Sequence, residues 1–244
     1  MYQLPKLQKV KNLTHGFSTR QDGNVSFRFG KEDEVLKNRE NFLKQLSISP
    51  KNCVKMTLEH STDIEVVDKN HLGRGMFKED SIGADALITK EKGIFLFVMV
   101  ADCLPIILYD PPGEKVALVH AGWQGTDKKF LEKVVQRFSD LGSNPADIIV
   151  GIGPGIHKES YIHKDPEQKQ KKDWEPFLKD LDDGQTEIDI VGYNIQQLVD
   201  SGVLKRNIEV SSIDTAKSKD FFSHYRVMRT GEPEGRFAAV VGMI

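Results

Sequence analysis

The sequence predicts an α/β sandwich built on mixed β-structure, and three observations predict it. Residues 94–100, 105–108 and 116–119 are apolar at successive positions, as in strands buried on both faces. Residues 130–138 carry apolar side chains at helical spacing. The helical segments do not alternate regularly with the strands, so a mixed sheet fits better than a doubly wound one. At 244 residues the chain can bury a large core. No internal repeat, low-complexity segment or linker divides it, so residues 1–244 read as one domain.

Residues 14–19 read as a first strand ending at Arg20, followed by the turn Gln21-Asp22-Gly23-Asn24. Residues 32–46 read as a helix. Val35, Leu36, Phe42, Leu43 and Leu46 form its apolar stripe, with Arg39 as the polar exception. Residues 54–56 and 63–67 read as strands flanking His60, and the polar, glycine-bearing 73–83 as an exposed loop. Residues 86–89, 94–100, 105–108 and 116–119 follow as strands. Thr126 suits the N-cap of a helix running to Leu141, with Asp127 in its first turn. Phe130, Leu131, Val134, Val135 and Phe138 are its inward stripe.

Residues 148–150 read as a buried strand ended by Gly151-Ile152-Gly153-Pro154-Gly155. The charge run 164–172 reads as a solvated face, and 173–181 as helical. Residues 190–203 form a helix with Ile195, Leu198 and Val199 inward, and strands at 208–210 and 237–241 complete the pattern.

The net charge of −2 gives no reason to expect a nucleic-acid partner. Two cysteines, Cys53 and Cys103, cannot build a disulfide framework, which points to a reducing compartment and a cytoplasmic location. The N-terminal residues lack an apolar signal core, and the run 94–109 is interrupted by Asp102 and too short to span a membrane.

Chemistry is signalled by Ala101-Asp102-Cys103-Leu104-Pro105, by His120-Ala121-Gly122-Trp123-Gln124-Gly125 and by Leu58-Glu59-His60-Ser61. Cys103 and His120 each follow a buried strand, where side chains can converge over a sheet edge. His60, Cys103 and His120 supply two imidazoles and a thiol. Three such ligands with a fourth position open suit a catalytic zinc, whereas structural zinc takes four. Gly122 and Gly125 remove bulk beside His120. Taken singly, Cys103 and His120 read as buried core residues; taken with the surrounding motifs, they read as a site. Strand alternation turns Asp102 away from Cys103, so it would orient the loop rather than bind metal. Cys53 reads as a buried small hydrophobe. The backbone around Gly153 could present amides to an anion, although a strand-ending turn explains it equally well.

These motifs resemble the laccase-domain family, also called the YfiH or polyphenol oxidase family. The similarity runs through His15-Gly16-Phe17-Ser18-Thr19-Arg20, His60, Ala84-Asp85-Ala86-Leu87-Ile88-Thr89, the Cys103 and His120 motifs, Gly151-Ile152-Gly153-Pro154, Phe221-Phe222-Ser223-His224 and Gly235-Arg236. The resemblance implies a three-layer α/β/α domain with a mixed sheet and a zinc on His60, Cys103 and His120. It also implies phosphorolysis of adenosine, inosine, guanosine and methylthioadenosine, and deamination of adenosine. The expected partners are then a purine nucleoside and phosphate. Arg20 and the Gly153 amides would hold the phosphate. Tyr161 or Trp123 would stack on the base, and Asp102 and His157 are candidates for the general acid. The chain departs from the family pattern at Leu58, Gln124, Ile162, Asp214 and Tyr225, while the three metal ligands are retained.

Two other chemistries use the same residues. Copper in place of zinc would suit phenol oxidation, but a multicopper cluster needs His-x-His pairs, and none occurs among the seven histidines. A cysteine hydrolase would use Cys103 as nucleophile and His120 as base without metal. A non-catalytic nucleoside-binding module would retain the zinc and lose turnover.

Overall fold

The computed structural model describes residues 1–244. The chain begins with α1 (Pro5–Gln8), β1 (Leu13–Phe17), α2 (Glu32–Lys44), β2 (Cys53–Thr57), β3 (Ile64–Val66), β4 (Ile82–Gly83) and β5 (Ala86–Thr89). It continues through β6 (Phe95–Val100), β7 (Leu104–Asp110), β8 (Lys115–Ala121), α3 (Trp123–Asp127), α4 (Phe130–Asp140) and β9 (Ile149–Ile152). The last third contains β10 (Ile162–Lys164), β11 (Leu178–Asp180), β12 (Gln185–Ile188), α5 (Ile190–Asp200), β13 (Ile208–Val210), α6 (His224–Thr230) and β14 (Phe237–Met243).

The expected sandwich of helices on mixed β-structure is present, and its β-layer is double. One sheet has the order β1-β14-β6-β2-β4, and the other β13-β9-β7-β8-β5-β3. Both mix parallel and antiparallel pairs. A small antiparallel sheet, β10-β12-β11, lies apart from them.

Alternation explains the doubling. Leu96, Val98 and Val100 of β6, and Phe237, Ala239 and Val241 of β14, share one core with Ile107 and Tyr109 of β7 and Val116 and Leu118 of β8. The two sheets therefore face each other. The opposite face of β6 and β14 packs Phe95, Phe97, Ala238 and Val240 against Phe42 and Leu43 of α2. The opposite face of β7 and β8 packs Ile106, Leu108, Ala117 and Val119 against α4 and α5. Each fully buried Leu, Ile, Val or Phe contributes about 1.5–3 kcal/mol. No helix is long and apolar enough to cross a membrane.

Arg39 is buried on α2 because carbonyls take its charge. Its Nε donates to Val25 O at 2.8 Å, and Nη1 to Met76 O at 2.7 Å.

Three local expectations are corrected. The helix expected from Thr126 begins instead at Trp123 with Gly122 as N-cap, and breaks where Lys129 adopts φ 55° before α4. Thr126 is inside α3, and its hydroxyl donates to Gly122 O and accepts from Asn194 Nδ2. Residues 173–181 form a 3-10 turn through Pro176 and then β11, because proline cannot supply an interior helical N–H. Trp174 in this turn is fully buried and donates its Nε1 hydrogen to Asp127. The loop 73–83 is only partly exposed: Gly75 and Met76 are buried, and Ile82–Gly83 adds a strand to the sheet edge.

Candidate functional site

Cys103 lies in the turn between β6 and β7. The turn is made by Asp102, which holds φ 81°, a left-handed conformation that costs a non-glycine residue free energy and so needs support. The support is its carboxylate, which accepts Thr215 Oγ1–H and Tyr225 N–H, both at 2.7 Å. Its carbonyl accepts Ile156 N–H at 2.8 Å. Ala101 and Cys103 consequently line a cavity from which Asp102 is turned away.

His120 ends β8 and is 3% exposed. Its Nδ1 lies 2.9 Å from Asp85 Oδ1. The other carboxylate oxygen of Asp85 accepts Ser61 N–H at 2.8 Å, Ser61 Oγ–H at 3.1 Å and Glu59 N–H at 3.3 Å. One carboxylate thus fixes the His120 ring and pins the turn that carries His60. His60, with φ 54°, places its ring centroid 5.5 Å from that of His120, edge to face. Gly122 completes the cluster. A Cβ there would come within 3.0 Å of Cys103 Sγ and 3.8 Å of His120 Nε2.

The electrostatics follow from this packing. Burial acts to lower the His120 pKa, but the Cys103 thiol and the Asp85 carboxylate outweigh it and lift the imidazole to about 9. Burial acts to raise Asp85, but hydrogen bonds from His120 and Ser61 prevail and hold it below the ordinary carboxylate value. His60 is lowered by burial and then by the neighbouring His120.

As the side chains stand, no group of three or more His, Cys, Asp or Glu is close enough to hold a metal ion. The donor chemistry nevertheless fits zinc. Two imidazoles on one tetrahedral zinc, bound at about 2 Å, place their centroids about 5 Å apart, close to the 5.5 Å seen here. Asp85 on Nδ1 leaves Nε2 of His120 for a ligand, the carboxylate–histidine pairing that supports bound metals.

The cavity measures about 780 Å³ and is lined by all three of these residues, a size suited to a nucleoside-sized ligand. Lys55, Ser81, Arg28 and Arg236 also line it. Asp85 and Lys55 were not identified as site residues from sequence. Their signal was a charged residue entering or interrupting an apolar strand, in Ala84-Asp85-Ala86 and Val54-Lys55-Met56.

Six residues expected at the site lie outside this cavity: Arg20, Gly153, Tyr161, His157, Asp102 and Trp123. Arg20 pairs with Glu232 at 3.1 Å and stacks over Phe222. Gly153 donates its N–H to Pro105 O, and the space beside its Cα is filled by Phe17, so it is a packing glycine rather than an anion cradle. Tyr161 packs edge-on to His163 and Tyr225, with its phenol pushed up by burial and the nearby Cys103. His157 is half-buried, and its backbone N–H donates to the Asp214 carboxylate. Asp102 is committed to Thr215 and Tyr225, which is the loop-orienting role. Trp123 packs beside α4 and under Lys171. Cys53 is buried, with its thiol pushed up by burial.

A family model described as multi-copper polyphenol oxidoreductase laccase matches residues 13–244. Purine nucleoside phosphorylase YlmD of Bacillus subtilis is 29% identical over 97% of this chain and 90% of its own length. Purine nucleoside phosphorylase YlmD of Geobacillus stearothermophilus is 31% identical over 86% of this chain and 78% of its own. Among solved structures, YlmD from G. stearothermophilus superposes with a TM-score of 0.88 at 28% identity, covering 98% of this chain and 93% of that one. The Bacillus licheniformis hypothetical protein YfiH gives 0.86 at 28% identity, covering 95% and 93%.

Proposed function

Because the chain belongs to the family described as multi-copper polyphenol oxidoreductase laccase, with relatives named purine nucleoside phosphorylases, we propose that it cleaves purine nucleosides with phosphate at a zinc held by His60, Cys103 and His120. The observation that carries the reading is the Asp85 carboxylate, which orders His120 and the His60 turn beside Cys103 in one cavity.

When bound, zinc supplies a Lewis acid and a water whose pKa falls to roughly 7. The protein's own part is placement. Asp85 fixes the His120 tautomer, and Asp102 holds the turn that presents Cys103. Phe29, Leu58 and Met99 give the cavity apolar surface for a purine. In phosphorolysis the C1′–N9 bond breaks, a phosphate oxygen bonds to C1′, and the base leaves with the electron pair and takes up a proton. Adenosine, inosine, guanosine and methylthioadenosine are the proposed substrates, with adenosine deamination at the same site. We also place the protein in the cytoplasm, as a single domain, from its cysteine usage and unbroken family match.

The test is metal analysis of the purified protein together with inosine and adenosine turnover. About one zinc per chain, lost in Cys103→Ala together with phosphate-dependent base release, is expected. Full activity in metal-free Cys103→Ala protein would overturn the proposal.

One observation favours a second reading. Cys103, His120 and Asp85 also stand in the order of a cysteine hydrolase triad, nucleophile, base and orienting carboxylate. Iodoacetamide labelling of Cys103 in zinc-replete protein supports the hydrolase, since a coordinated thiolate is protected. Copper-dependent oxidation, named in the family description, has less support, because a multicopper cluster needs many more histidines than the three that line this cavity.

A further inference from the structure

We infer that Lys55, with the hydroxyls of Ser81 and Thr57, forms a seat for a phosphate-type oxyanion in the wall of the cavity. For the identity of its ligand as free phosphate, the inference rests on the phosphorolysis reading; the seat itself does not.

Lys55 lies in β2 between Val54 and Met56, whose side chains enter the core between the sheets. Its own side chain takes the opposite face of the strand and is 5% exposed, yet it lines the cavity. The ammonium makes one hydrogen bond, to Ser81 Oγ at 3.1 Å. Ser81 in turn contacts the Thr57 hydroxyl. Lys55 has no ion-pair partner. Arg39 on α2 repels it, and Glu79 and Asp80 on the segment before β4 act on it only at a distance. A buried ammonium without a counter-charge is costly, and an anion entering the cavity removes that cost.

The backbone is shaped for this arrangement. Gly75 has φ 73°, and a Cβ there would come within 2.9 Å of Lys55 Cβ. The glycine lets the 75–81 segment close over the lysine and bring Ser81 to it. Arg28 lines the same cavity without an acidic partner, whereas Arg236 is engaged by Glu234 at 2.7 Å. The two ammonium hydrogens not given to Ser81, with the one hydroxyl hydrogen not spent between Ser81 and Thr57, offer three donors to the oxygens of a tetrahedral anion.

The experiment is calorimetric titration of the whole protein with orthophosphate, and separately with adenosine 5′-monophosphate. The variants are Lys55→Met, Lys55→Arg and Ser81→Ala, with thermal melts confirming that each is folded. Orthophosphate binding that weakens at least tenfold in Lys55→Met, is partly restored in Lys55→Arg and is weakened in Ser81→Ala supports the seat with the free anion as ligand. The same pattern for the nucleotide alone supports the seat with a nucleotide phosphoryl group as ligand. Binding of both ligands that is indifferent to Lys55, or no binding of either, overturns it. Lys55-dependent phosphate binding in a protein that never turns over nucleosides would leave the seat standing and remove phosphorolysis. Phosphate-dependent turnover with Lys55-independent binding would do the reverse.

Discussion

Replacing Lys55 with Met should stabilise the folded protein at pH 7, and the gain should fade as pH rises. Burial first, and then the charge of Arg39, lower the Lys55 pKa from the ordinary lysine value of 10.5 to about 8. Between those values the unfolded chain binds more protons than the folded one, so wild-type stability rises with pH across that window. Below about pH 8 the whole penalty of the buried charge is present. At about 1.4 kcal/mol per pH unit, that penalty is about 3 kcal/mol. Methionine keeps the apolar stem and forfeits the Ser81 hydrogen bond, worth about 1 kcal/mol. The net gain at pH 7 is then about 2 kcal/mol, or about 6 °C in Tm for a chain of this size. Urea unfolding of wild type and variant at pH 7 and pH 10 measures both quantities. A variant no more stable at pH 7, or a gain unchanged at pH 10, would refute the account of Lys55 as a strained buried cation. Gained stability with lost anion binding is the signature of a residue kept for function.

Asp85→Asn should leave the fold intact but weaken zinc binding about 10–100-fold, because the amide no longer selects the His120 tautomer. Competition with a chromogenic chelator measures it, and unchanged affinity would remove Asp85 from the site. Gly153→Ala should destabilise the protein by roughly 1–3 kcal/mol through overlap with Phe17 and Pro105, with phosphate binding by the folded fraction unaltered. A stable Gly153→Ala protein that had lost phosphate binding would restore the glycine turn as the anion cradle.

Much of the β-framework was legible as apolar runs, and α4 was legible as its stripe of Phe130, Leu131, Val134, Val135 and Phe138, all buried as expected. The break at Lys129 was not, because a single left-handed residue leaves no periodic trace. The turn at Pro176 was signalled by the proline itself; what was not legible is that Trp174 is held by Asp127, 47 residues away in the chain, because local propensity contains nothing of that bond. The candidate site divides in the same way. His60, Cys103 and His120 could be named because imidazoles and a thiol in compact motifs have few other uses. Arg20, Gly153, Tyr161, His157 and Asp102 were equally plausible from residue type, yet all lie outside the cavity, and all but His157 are committed elsewhere by contacts distant in sequence or by packing.

By itself, then, the sequence determined residue chemistry and the alternation along each strand. Alternation says that both faces of β6, β7, β8 and β14 are buried, but not against what. Only the tertiary structure decided that two sheets face each other, that Asp85 joins His120 to the turn carrying His60, and that Lys55 is buried at the cavity wall without a counter-charge. The reason is physical. Side-chain direction along a strand is a local property of the backbone, whereas the burial of a charge and the partner of a carboxylate depend on segments that meet only when the chain has folded.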